Sequence, residues 1–86
     1  MNIESSLILD TLTKLKKKDA ALFRALEKKI IQLSQLTYEE LQHFKNLRAP
    51  MNQYKRVHVG SFVLMFKVEK TQIILSEFKH HDEAYK

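Results

Sequence analysis

The chain's single glycine, Gly60, stands between two runs rich in Val, Leu and Phe, and that placement constrains the fold more than any other feature. Residues 54–86 read YKRVHVGSFVLMFKVEKTQIILSEFKHHDEAYK. β-Branched and aromatic runs, broken at Gly60-Ser61 and again at Glu69-Lys70, are the pattern of an antiparallel meander of three strands. A two-residue turn at Gly60-Ser61 fixes the register: Val59 pairs with Phe62, His58 with Val63, Val57 with Leu64 and Arg56 with Met65. Val57, Val59, Phe62, Leu64 and Phe66 then share an apolar face. Arg56, His58, Val63, Met65 and Lys67 share the other, a mixed cationic face open to a ligand. The third strand is ambiguous, because residues 72–78 can present either Ile73 and Leu75 or Ile74 and Phe78 to the core. The side that His80 and His81 join is therefore left open.

The preceding residues are mostly helical. Ile8, Leu12 and Leu15 recur at helical spacing after Ser5 or Ser6 as a cap. Lys16, Lys17 and Lys18 close that helix where cations favour its dipole. Asp19 caps a second helix from Ala20 to about Ser34, with Leu22, Phe23, Leu26, Ile30 and Leu33 as its apolar stripe. Thr37 and Glu40 form a capping-box spacing, with Leu36 and Leu41 as the hydrophobic staple of a short third helix ending near Phe44 or Lys45. The segment 45–53, with the only proline, leads into the sheet, and residues 1–6 make at most a brief edge strand. The expected class is α+β: a helical hairpin and a short third helix packed on one face of a small antiparallel sheet, with residues 1–86 as one domain.

The net charge is +5, and it is uneven. Residues 1–44 hold seven Lys/Arg against six Asp/Glu, whereas residues 45–86 hold eight against four. The half with the open strand face is the basic one, which suits an anionic partner and also serves solubility alone. No stretch approaches the ~18 apolar residues of a membrane span, and no secretory leader pattern opens the chain. A cytoplasmic protein that does not engage a membrane is expected. Without cysteine there is neither a disulfide nor a thiolate zinc site. His80, His81 and Asp82 lack a well-placed third partner, so no metal and no cofactor is expected.

These residues suit phosphodiester chemistry on RNA. The substrate's own 2′-hydroxyl can act as nucleophile, so the protein needs only a base, an acid and cations around the phosphorane. His58, His81 and Tyr85 are the candidate acid/base groups, imidazole being apt because its ordinary pKa of about 6.5 lies near working pH. Arg56, Lys55 and Lys79 are candidate phosphate ligands, with Lys45, Arg48 and Lys67 as further cations along the RNA path.

The order of elements, the block Arg56-Val57-His58-Val59-Gly60-Ser61-Phe62-Val63-Leu64-Met65-Phe66 and the closing His80-His81-Asp82-Glu83-Ala84-Tyr85 together resemble the RelE/ParE toxins of toxin–antitoxin systems. In that family a basic strand leads through glycine into a "GxYRLxY"-like block, and the chain closes near "HRxxVY". The resemblance implies a microbial RNase-like fold and, for the RelE branch, metal-independent cleavage of mRNA in the ribosomal A site. It also implies a RelB-like antitoxin that binds the toxin in a hetero-oligomer. By position it assigns site roles to Arg56, His58, His81 and Tyr85. Val63 stands where many members carry an arginine, and His81 where they carry another. The alternatives are a ParE-like gyrase inhibitor and a RelE-fold protein that binds antitoxin or RNA without cutting.

Overall fold

The computed structural model describes residues 1–50 and 52–84. A short strand, β1 (Asn2–Glu4), is followed by a 3-10 turn (Ser6–Ile8) and by α1 (Leu9–Lys18), α2 (Ala20–Ser34) and α3 (Tyr38–Leu41). The meander β2 (Lys55–Val59), β3 (Phe62–Val68) and β4 (Gln72–His80) then leads into one closing turn, α4 (His81–Ala84). The strand order is β1-β4-β3-β2. The meander is antiparallel as expected, but β1 runs parallel to β4, so the complete sheet is mixed.

Local chemistry accounts for the helix boundaries. The Asp19 carboxylate accepts from Leu22 N at 3.0 Å and starts α2. The Thr37–Glu40 capping box is complete in both directions, at 3.1 and 3.0 Å. Two boundaries differ from expectation. Neither Ser5 nor Ser6 caps the first helix with its side chain; instead the Glu4 carboxylate accepts from Ser6 N at 2.8 Å. The Ser6 side chain first, and then this backbone N–H, hold the Glu4 carboxyl below its ordinary pKa by hydrogen bonding. The third helix stops at Leu41 rather than near Phe44, because His43 and Phe44 donate to carbonyls three residues back and tighten the chain into turns.

The helices cover one face of the sheet. Ile8, Leu26, Leu33 and Leu41 meet Val59, Leu64, Phe66, Ile73, Leu75 and Phe78 in one buried cluster. Phe44 packs edge-on to Phe66 at 5.9 Å. The predicted first-hairpin register is observed pair for pair. Gly60 has φ +59°, and no other described residue has a positive φ, which is the signature of a II′ turn with glycine at its first central position.

The ambiguity in β4 resolves in a way that neither alternating pattern contains. Phe66 pairs with Leu75 while Met65 pairs with Glu77, leaving Ser76 as the extra residue of a β-bulge. The bulge flips the parity of the strand, so Ile73, Leu75 and Phe78 all enter the core. Strict alternation from Leu75 would have driven Glu77 and Lys79 into it. The other face of the sheet also departs from the simple picture of an open surface. Val63 and Met65 are buried there (0% and 5% exposed), outside the main cluster, as a thin apolar layer beneath polar side chains.

A Cβ added at Gly60 would meet nothing within 4 Å, so its cost lies in the backbone alone. Gly60→Ala should therefore destabilise the protein by about 1–2 kcal/mol. Urea denaturation should show an unchanged slope and a lower midpoint.

Candidate functional site

Alternation along β2 turns Arg56 and His58 away from the helices, roughly 7 Å apart along the strand. Across the sheet two rows follow from the pairing: Arg56–Met65–Glu77 and His58–Val63–Lys79. Because of the bulge, His80 falls on the helical side, where its ring meets Phe62 edge-on at 5.3 Å. His81 comes out on the opposite side. Its backbone N–H donates to Ser61 O at 2.9 Å, which ties the start of α4 to the Gly60-Ser61 turn. The His81 ring lies 5.8 Å from that of His58, tilted by 30°. The first hairpin's turn and the last strand's bulge thus bring together two imidazoles separated by 22 positions of sequence.

Asp82 lies beside both closing histidines, with carboxylate oxygens 3.7 Å from Nδ1 of His80 and 3.7 Å from Nδ1 of His81. Among the described residues no group of three His, Asp or Glu is arranged to hold a metal ion. Tyr85 lies outside the described residues.

The candidate phosphate ligands divide. Lys79 is on the histidine face and pairs with Glu77 at 2.6 Å. Lys67 is on the same face, half-buried, opposite Ile74. Lys45 and Arg48 are exposed on the segment that runs beside β2, joined to it through the Asn46–Lys55 bridge and a 2.9 Å bond from Leu47 N to Tyr54 O. Lys55 requires a correction. It pairs with Phe66, on the helical side, and is only 5% exposed. Its ammonium donates to Phe44 O at 3.0 Å and to Asn46 Oδ1 at 2.8 Å, so it fastens the connecting segment rather than facing a phosphate. Burial lowers its pKa from the ordinary 10.5. Period-two reading already placed this residue in phase with Val57 and Val59; its charge obscured that signal.

Among the described residues, two hollows stand out on the surface. The larger, about 240 Å³, is a mainly apolar crevice on the helical side among Ile3, Leu12, Phe23, Ile30, Ile31 and Leu75, on the face opposite the His58–His81 pair. The smaller, about 160 Å³, is on the histidine side and is lined by Leu7, Tyr54, Met65, Ser76 and Glu77. Sequence reasoning passed over Tyr54 and Glu77 as site residues. Tyr54 was two positions before Arg56 and thus in phase with it, but Glu77 reaches this face only through the bulge.

The mixed four-stranded sheet thus carries its helices on one face and the His58–His81 pair on the other. The crystal structure of YafQ from Escherichia coli BL21(DE3) superposes with a TM-score of 0.74 at 17% identity, over 99% of this chain and 98% of YafQ. A protein of Methanocaldococcus jannaschii bearing the name toxin RelE4 is 42% identical over 78 residues, 87% of this chain and 79% of that protein. An uncharacterised protein of Methanosarcina mazei is 44% identical over 50 residues, 55% of this chain and 58% of its own length. No family model matches the chain. The chain belongs to the RelE toxin family.

Replacing Lys55 by Ala removes a charged donor from two acceptors and should cost about 1.5–3 kcal/mol in urea denaturation. A lowered native pKa means that the folded chain sheds this proton before the unfolded chain does. The wild type should therefore gain stability as pH rises from the lowered value towards 10.5, and Lys55→Met should lack that increment.

Proposed function

We propose that this RelE-family chain is the toxin of a toxin–antitoxin pair and cuts ribosome-bound mRNA by acid/base catalysis, with the substrate's 2′-hydroxyl as nucleophile. The observation that carries this reading is the His58–His81 pair, 5.8 Å apart, beside Arg56 on the face of the sheet away from the helices. One imidazole takes the 2′-proton as the 2′-oxygen bonds to phosphorus. The other, as imidazolium, gives its proton to the departing 5′-oxygen as the P–O5′ bond breaks, leaving a 2′,3′-cyclic phosphate. Arg56 stabilises the charge that develops on the phosphorane, and Asp82 orients His81 from 3.7 Å. The position of Tyr85 in the closing motif assigns it to the same acid/base machinery. Lys45, Arg48, Lys67 and Lys79 guide the RNA backbone, and residues 1–86 act as one toxin unit.

The target is the mRNA in the A site of the ribosome, so the protein works in the cytoplasm. A RelB-like antitoxin, rich in acidic residues to match the basic half of the chain, holds the toxin inactive in a hetero-oligomer. No helix among the described residues is long and apolar enough to cross a membrane.

Val63, fully buried where the RelE/ParE pattern that the sequence resembles has an arginine, favours a second reading. With that cation absent, the fold serves as a binding protein directed at DNA gyrase or at the antitoxin alone.

Purified protein, stripped of metal by chelation and dialysis and then added to programmed ribosomes in magnesium buffer, decides between them. Cuts within the A-site codon should fall by about 10²–10⁴ in His58→Ala and in His81→Ala. Growth arrest that persists in both variants, with no cutting by the wild type, would transfer the assignment to the gyrase reading.

A further inference from the structure

The hollow on the histidine side, about 160 Å³, joins apolar and aromatic side chains to a carboxylate, and we propose that it seats one base of the RNA substrate, selecting a base that carries an exocyclic amino group. The assignment rests on the nuclease reading for its place in a reaction, but the site itself is defined by its own residues. Its lining combines the buried Met65 with Tyr54 and Leu7, and Ser76 and Glu77 supply the polar groups. An aromatic ring offers a stacking surface to any base, and polar groups beside it are where one base is told from another.

Glu77 supplies the selectivity. Its Oε2 is held by Lys79 at 2.6 Å, which fixes the carboxylate's direction without exhausting its lone pairs. An ionised carboxylate only accepts hydrogen bonds, so it favours adenine, cytosine or guanine, whose amino groups donate. It repels the O4 carbonyl that uracil presents at the corresponding edge. The Ser76 bulge shapes the site twice over. It turns Glu77 onto this face, and the local bend that accompanies an unpaired residue opens the strand surface beside Met65.

The site is continuous with the proposed cleavage centre. Met65 stands between Arg56 and Glu77, one row from Val63 with its flanking His58 and Lys79. Rows on one face of a strand are roughly 7 Å apart, a separation that one nucleotide spans. A base stacked at Tyr54 therefore places its own or the adjacent phosphate against Arg56, His58 and His81.

Two measurements, independent of each other, test this. In the first, labelled wild-type protein is titrated with 2′-O-methyl trinucleotides of A, C or U, which cannot be cleaved. The A and C trimers should shift the Met65 methyl and Tyr54 ring resonances, binding about tenfold more tightly than the U trimer. Glu77→Gln, which restores a donor to that edge, should erase the discrimination. Tyr54→Ala should weaken all trimers about tenfold. A Met65 methyl that does not move with any trimer, or equal binding of U by the wild type, overturns the proposal whether or not the protein cuts mRNA.

In the second, the ribosome assay is run on codon sets. Glu77→Gln should relax the base preference at one fixed position relative to the cut, and Tyr54→Ala should raise KM more than it lowers kcat. An unchanged preference in an active Glu77→Gln enzyme also overturns the base pocket and leaves the nuclease reading intact. Absence of cleavage by the wild type, with the trimer shifts present, overturns the nuclease reading and leaves the base pocket intact.

Discussion

The unpaired residue Ser76 governs more of this structure than its size suggests. Downstream of Leu75 every residue of β4 faces opposite to where strict alternation would send it. With that one-residue insertion, Phe78 reaches the core beside Phe62, their rings stacked at 5.2 Å. Glu77 and Lys79 are kept out of it, and His81 emerges on the face that carries His58. A regular strand of the same sequence would have to desolvate a carboxylate and an ammonium among Ile73, Leu75 and Leu64, at several kcal/mol per ion. The bulge is the cheaper arrangement. The histidine pair is therefore a consequence of core packing as much as of local sequence.

The two faces of the sheet bear different loads. The helical side carries the stabilising burial, with Leu26, Leu33, Leu41, Phe66, Ile73 and Leu75 almost wholly removed from water. Among the described residues the opposite side buries only Val63 and Met65, a floor thin enough that the charged and aromatic side chains above it remain partly exposed to solvent. Neighbouring cations on β2 illustrate the division. Lys55 turns inward and fastens the chain at Phe44 and Asn46, while Arg56, the next residue, turns to the ligand face. Similar charges one residue apart do unrelated work because the strand's period is two.

Much of this was legible in the sequence, and the reasons are local. The Gly60-Ser61 turn, the Asp19 cap and the Thr37–Glu40 capping box depend on residue types at fixed short spacings, so the helices and the first hairpin's register follow directly. The family resemblance rested on the same hairpin and on the closing histidines. What lay hidden depended on contacts distant in sequence. A bulge has no composition of its own here, since Ser76 is an ordinary strand residue, and only the joint demand to bury Leu75 and Phe78 reveals it. The inward turn of Lys55 was masked by its charge, although its phase with Val57 was visible. The parallel pairing of β1 with β4 could not be read from three residues.

The physical separation of packing from chemistry bears on the position of Val63. An arginine there would start from a backbone position whose present side chain is fully covered, between His58 and Lys79. Its guanidinium would have to rise through the layer that those neighbours close, into a row that already holds a lysine paired with Glu77. Valine instead completes an apolar floor with Met65. The positive charge of this face is then distributed among Arg56, Lys67 and Lys79 around that floor, leaving the centre of the face apolar rather than cationic. On the proposed nuclease reading, acid/base work falls to the imidazoles that flank the floor, and the polar groups at its edge decide what settles on it.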